Sequence, residues 1–251
     1  MDSFGLAVLG VPLHWPAGTT PTLQLLLRWM HFAAGITWVG LLYFFVLVNT
    51  PFLAEIDSAT RVKVVPLLMP RALWWFRWAS VVTVLAGIWY WMMIVHADAV
   101  NAQTTGGRAI GTFFGFWTLA FALEMGLLMS PLEFLRKGPV FATIMTIIVA
   151  ATSWLYLTMN SHGWESNRLI AIGIGGGMGW FMMLNVWGIV WRVQKRLIRW
   201  TAESAGSNTP MPVEAARLAR IGRLAANTNF VLSFPMLLMM ATASHFPVFV
   251  P

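Results

Sequence analysis

Six stretches, near 22–49, 73–96, 110–131, 139–159, 169–191 and 227–247, run through this sequence with scarcely a charge in any of them. Each is long enough to cross a hydrocarbon core of about 30 Å, which takes about 20 helical residues. In lipid the backbone must satisfy its own hydrogen bonds, so runs of this length are read as membrane-crossing helices. The expected fold is an all-α integral membrane bundle of about six transmembrane helices, a single domain over 1–251. Composition agrees, with 58% hydrophobic residues, 10% charged residues and 15 tryptophans, against roughly 25% charged in an average soluble domain. There is no cysteine. That excludes disulfides, thiolate metal sites, iron–sulfur ligation and covalent c-type haem, and leaves His, Met, carboxylates and backbone as ligands.

Two of the linkers are long, 50–72 and 192–226. The second holds "AGSNTPMP", a flexible turn, and then "VEAARLARIGRL". There Val213, Leu218, Ile221 and Leu224 lie near one face while Arg217, Arg220 and Arg223 supply charge, the pattern of an amphipathic surface segment over 213–226. Lys and Arg set orientation, because cytoplasmic loops carry the excess. Thirteen of the 16 fall on one side, among them Arg61, Lys63, Arg71, Arg77, Arg136, Lys137 and the seven from Arg192 to Arg223; only Arg28, Arg108 and Arg168 fall on the other. Both termini are therefore expected on the outer, periplasmic side of a bacterial cytoplasmic membrane. The N-terminal segment lacks a basic n-region and is interrupted by Pro12 and Pro16, so it does not read as a cleavable signal. The net charge of +7 is mostly a topology signal with some attraction to anionic lipid; nucleic-acid binding is not expected.

With this topology all five histidines fall in the outer half: His14 before the first span, His31 early in it, His96 ending the second, His162 after the fourth and His245 ending the sixth. A titratable side chain inside a span is costly and usually marks a site. His31, Gly35 and Trp38 share one helical face, and Ala241 and Thr242 stand one turn before His245. Two imidazoles on different helices at comparable depth, each beside small residues, suit a flat macrocycle wedged between helices. Haem b is the cofactor expected, its iron held by His31 and His245, with Gly35 and Ala241 making room and Trp38 packing nearby. Each residue has a plainer reading too. His31 can be a neutral histidine bonded between helices, and His245 an interfacial residue. His96 and His162 are solvated helix-end residues or candidates for a second haem, an outer metal or a quinone hydrogen bond, and His14 is read as surface.

Few other polar residues enter the spans. Glu124 and Asn185 both lie toward the inner half and can meet, either as a proton path from the cytoplasm or as a protonated acid bonded to an amide. The run "IGIGGGMGW", residues 172–180, lies inside a span and lacks a P-loop lysine; glycine for close helix packing is the expectation.

The segments "RWMHFAAGITWVGLLYFF", "PRALWWFRWASVVTVLAGIWY", "MLNVWGIVWRVQK" and "NTNFVLSFPMLLMMATASHFP" resemble the membrane domain of the PuuD-type urate hydroxylase family, over about residues 24–247. The resemblance implies a bacterial membrane protein coupled to electron transfer, with the family's first-span histidine falling on His31 and its closing histidine element on His245. Longer members oxidise urate and carry a C-terminal cytochrome c domain with a Cys-x-x-Cys-His site. This chain looks like a short form without that domain, so electrons would need a separate acceptor.

The function expected is a membrane-embedded haem b redox subunit passing electrons between a quinone or membrane partner and a periplasmic carrier such as a c-type cytochrome, within a larger respiratory or photosynthetic assembly of other membrane subunits. Two alternatives stay open. One is an oxidoreductase acting on urate or a related purine, with the outer histidines and Arg28 or Arg168 orienting an anionic substrate. The other is a cofactor-free accessory subunit that stabilises a complex.

Overall fold

The structure is a computed structural model that describes residues 5–8, 11–207 and 210–249, with side chains from 15 to 204 and from 210 to 249. A short hairpin, β1 (Gly5–Val8) paired antiparallel with β2 (Val11–His14), precedes the helices. Eight α-helices follow: α1 (Thr19–Tyr43), α2 (Thr50–Glu55), α3 (Ser58–Asn101), α4 (Gly107–Met129), α5 (Gly138–Met159), α6 (Asn167–Asn185), α7 (Trp191–Ser207) and α8 (Glu214–His245). A π-helical turn, Phe44–Asn49, fuses α1 to α2, and a second, Val186–Val190, fuses α6 to α7. Among the described residues this gives six helical stretches long and apolar enough to cross a membrane. The protein is an all-helical bundle of the multi-pass membrane kind, apart from its leading hairpin.

The helices reach further than hydropathy alone indicates. Residues 50–72 form no open linker, because α2 carries the first stretch to Glu55 and α3 starts only three residues later. Asp57 caps that start, its carboxylate accepting from the Thr60 amide at 3.0 Å and the Thr60 hydroxyl at 2.6 Å, which satisfies amides that have no partner in a first turn. Pro66 and Pro70 lie within α3 without ending it, as neighbouring helices allow in membrane bundles. At the first π turn Pro51 offers no amide and the Thr50 hydroxyl donates to the Phe45 carbonyl, which accounts for the widened ladder. Residues 214–226, expected to lie on the membrane surface, are the first turns of an unbroken α8. Of the expected turn at 205–212, residues 208 and 209 lie outside the described residues, as does the side chain of His14.

At the centre of the bundle stands α6, packed against α3, α4, α5 and α8. Its glycines are what permit this. A Cβ at Gly177 would overlap the Trp117 indole nitrogen and one at Gly173 the Tyr156 hydroxyl, while at Gly175 it would lie 2.7 Å from Met239 Cβ. Large apolar side chains face outward instead, Trp29 at 66% exposure and Ile147, Trp154 and Leu238 among them, as lipid contact requires. The polar residues Ser80, Glu124, Asn185, Asn229 and Ser233 are turned inward. The end of the bundle that holds the α3–α4 and α5–α6 connections carries His31, His96, His162 and His245; the other end carries most of the Lys and Arg.

Candidate functional site

Between α1, α3, α6 and α8, with Phe113 of α4 closing one side, lies a cavity of about 650 Å³, within the range of about 300–1,000 Å³ usual for small-molecule sites. His31, Gly35, Trp38, Ala241 and His245 all line it. The five residues singled out from the sequence thus come together in one space.

His31 is fixed from behind. Its Nδ1 lies 2.8 Å from the backbone carbonyl of Thr83. A carbonyl only accepts, so Nδ1 carries the hydrogen and Nε2 keeps its lone pair. One turn further along α3 stands Gly87, where a Cβ would lie 2.7 Å from the same Nδ1. The imidazole therefore rests on bare helix backbone, and a Cβ at Gly35 would lie 3.5 Å from Thr83 Cγ2 at the same crossing. A ring nitrogen tied to a carbonyl, with the other nitrogen free toward a cavity, is the arrangement that orients histidine ligands in metal sites. Trp38 is 1% exposed and forms part of the cavity wall.

His245 is the last residue of α8 and is exposed at the cavity's mouth. Its surroundings are pinned by Asn167, the first residue of α6. The Asn167 amide reaches the carbonyls of Ala243 at 3.2 Å and Phe246 at 3.3 Å, and its oxygen accepts from the amides of Val248 and Phe249 at 3.0 and 2.9 Å. The depth of the two imidazoles follows from another tie, the Tyr43 hydroxyl to the Ser233 hydroxyl at 3.0 Å. His31 stands twelve residues from Tyr43, and His245 twelve residues from Ser233, both toward the same end. At 1.5 Å per residue each lies roughly 18 Å beyond that tie, at a similar level.

Sequence reasoning missed Thr83, Gly87, Tyr43 and Asn167 as parts of this site. Thr83 and Gly87 are spaced four apart and so share a helix face, but nothing in the sequence says that α1 packs on that face. Arg28, considered only for substrate binding, lines the cavity with its guanidinium 5.9 Å from the Tyr90 ring centroid.

The other histidines lie elsewhere. His162 has both ring nitrogens engaged, Nδ1 with Glu165 at 2.9 Å and Nε2 with the Arg108 guanidinium at 2.6 Å. A guanidinium only donates, so the Nε2 lone pair is already in use. His96 is exposed near the end of α3, away from the cavity lining. Arg168 borders a separate shallow depression that also touches His245. Glu124 and Asn185 do meet, at 3.4 Å, fully buried and toward the end of the bundle away from these histidines.

The sequence model of the urate oxidase N-terminal family matches residues 54–250, well over half of the chain. The chain belongs to the urate oxidase N-terminal family. The match agrees with the PuuD-type resemblance of the sequence. It takes in Thr83, Gly87, Asn167, Ala241 and His245, whereas α1, with His31, Gly35 and Trp38, lies ahead of it. No curated protein and no solved structure matches the chain.

Proposed function

We propose that this urate oxidase N-terminal family member is a membrane-embedded redox subunit that holds haem b in the cavity between α1, α3, α6 and α8, with His31 and His245 as the iron ligands. The observation that carries the reading is the His31–Thr83 tie, which leaves Nε2 as the one lone pair of an immobilised imidazole beside an apolar cavity. The cavity also fits in its walls. Gly35 and Gly176 present no side chain and Ala241 only a methyl, which suits a planar ring lying against helices. Haem supplies one-electron chemistry when bound. The chain's own part is to fix the imidazole's tautomer, exclude water with Trp38, Trp91 and Phe113, and keep Arg28 near the mouth, where it offsets the negative charge of propionates. Electrons would pass between a quinone or membrane partner and a periplasmic carrier, the basic end of the bundle facing the cytoplasm.

A second reading is favoured by family membership and by Arg28 beside His31 and Tyr90: oxidation of an anionic heterocycle such as urate, with electrons leaving to a separate cytochrome c. Reduced-minus-oxidised spectra with haem quantification, on wild type, His31→Ala and His245→Ala, decide the first reading. A b-type signal in the wild type, lost in both variants, is expected. A colourless wild type expressed with haem available rejects it, and turnover of urate with added cytochrome c then becomes the measurement of choice.

A further inference from the structure

The half of the bundle away from the histidines holds a polar group for which the redox site has no use. Glu124 is 0% exposed, with Oε1 3.4 Å from Asn185 Nδ2 and with Oε2 lacking any hydrogen-bond partner among the described residues. Asn185 Nδ2 also faces the Ala225 carbonyl at 3.0 Å and Asn229 Oδ1 at 2.9 Å, so three acceptors surround two hydrogens. Asn185 Oδ1 has no partner either. The Thr228 hydroxyl also lies beside Glu124 but gives its hydrogen to the Leu224 carbonyl at 3.1 Å, so the cluster is short of donors, and an ionised carboxylate without a counter-charge is costly at this depth. A proton on Glu124 supplies what is missing.

A line of polar groups leads from that proton to the cavity. Asn229 is tied by its own amide to the Met182 carbonyl at 3.0 Å. One turn along the same face of α8 is Ser233, also fully buried, which donates to the Phe230 carbonyl at 2.7 Å and meets the Tyr43 hydroxyl at 3.0 Å. Since the serine hydrogen is committed, Tyr43 donates to Ser233. Tyr43 lines the cavity floor. Both π turns abut this line, one starting directly after Tyr43 and one directly after Asn185, and such turns recur at functional sites. One helical turn, about 6 Å of rise, separates Asn229 from Ser233 with no direct hydrogen bond between them among the described residues, so the path requires a water there.

We propose that Glu124 is a proton-storing group that exchanges its proton with the cavity through Asn185, Asn229, Ser233 and Tyr43. Glu124 gives H⁺ from its carboxyl to a water molecule on the Ser233 side and regains one by the same route; only O–H bonds form and break, the Ser233 hydroxyl turns off the Phe230 carbonyl to pass the proton between that water and the Tyr43 hydroxyl, and the two amides orient the path. Its role, balancing charge as electrons enter and leave, rests on the redox reading, but its test does not.

The test is infrared spectroscopy of the purified wild-type protein in D₂O, with or without haem. A carbonyl stretch of a neutral carboxylic acid, shifting on deuteration and lost in Glu124→Gln, is expected; Glu124→Asp, which should move the band, assigns it if the glutamine variant fails to assemble. Exchange of that band should slow about tenfold or more, the rate effect of about 1.4 kcal/mol on a barrier, in Ser233→Ala and Tyr43→Phe. A purely structural role predicts unchanged or faster exchange in those variants and overturns the path. The absence of any Glu124-dependent acid band overturns the proton store. A colourless protein that passes this test loses the proposed haem and keeps the proton line.

Discussion

Both α1 and α6 wall the cavity, yet they are made to opposite specifications. In the most apolar 18-residue stretch of the helix that includes α1, 11% of residues are buried; in that of the α6 helix, 78% are. Because α6 sits at the centre, its interface is written in glycine, which lets Trp117 and Tyr156 come up against its backbone. The peripheral α1 turns Leu26, Trp29 and Met30 outward, and it buries little beyond the face of Leu27, Trp38 and Leu42 that continues from His31 and Gly35. The difference teaches that the helix supplying His31 is not the helix supplying the rigidity. The orientation of its imidazole is borrowed from α3, through Thr83 and Gly87, and α3 is in turn held to α6 by the Trp91 indole donating to the Leu169 carbonyl at 3.0 Å.

Substitutions graded along this contrast test it. Gly177→Leu should have the largest effect, since even a Cβ there meets the Trp117 indole. No monodisperse protein is expected in size-exclusion chromatography, a loss beyond the 1–3 kcal/mol or so of ordinary overpacking. Gly87→Ala should come next. By displacing the His31 ring it should cost about 2–3 kcal/mol in thermal unfolding and lower the haem-to-protein ratio at least tenfold. Gly115→Ala, in α4 outside the cavity lining and with nothing within 4 Å of the added Cβ, is its control and should leave both readouts unchanged. Asn167→Ala should loosen the segment after α8 by about 1–2 kcal/mol, read as faster amide exchange over 242–249 with α1 undisturbed. Leu26→Ala, exposed on α1 and outside the cavity lining, should be the mildest, within about 0.5 kcal/mol, because lipid replaces the lost contact. Should Leu26→Ala instead destabilise as a core substitution does, the outer face of α1 is packed against a partner and the contrast with α6 weakens.

The sequence makes much of this legible, for a definable reason. In a bilayer the cost of polar groups is high enough that hydropathy alone marks the six stretches, and an imidazole or carboxylate inside one stands out. His31 and His245, and the pair Glu124 and Asn185, are visible in that way. The packing role of the 172–180 glycines is legible too, since a loop reading has no place inside a span. Harder to read is anything decided by which helix faces which. Thr83 and Gly87 are ordinary residues until α1 is laid across them, 52 positions away from His31 in the case of the hydrogen bond. Helix ends were obscured for a different reason. Pro66, Pro70 and the charged residues before them look like a linker, yet a capped start at Asp57 and packing by neighbouring helices keep α3 helical throughout.

The partner of His31 has a consequence for how this site tolerates change. The acceptor at position 83 is main chain, so every substitution of the Thr83 side chain leaves it in place, and its carbonyl has a second lone pair beyond the one used by the helix ladder. Inheritance of the imidazole's orientation is thus insulated from drift at the residue it touches. The vulnerability moves four positions on, to a glycine that makes no bond to the ring and whose only contribution is to be small. A search among variant sequences for loss of this site should therefore look at position 87 before position 83.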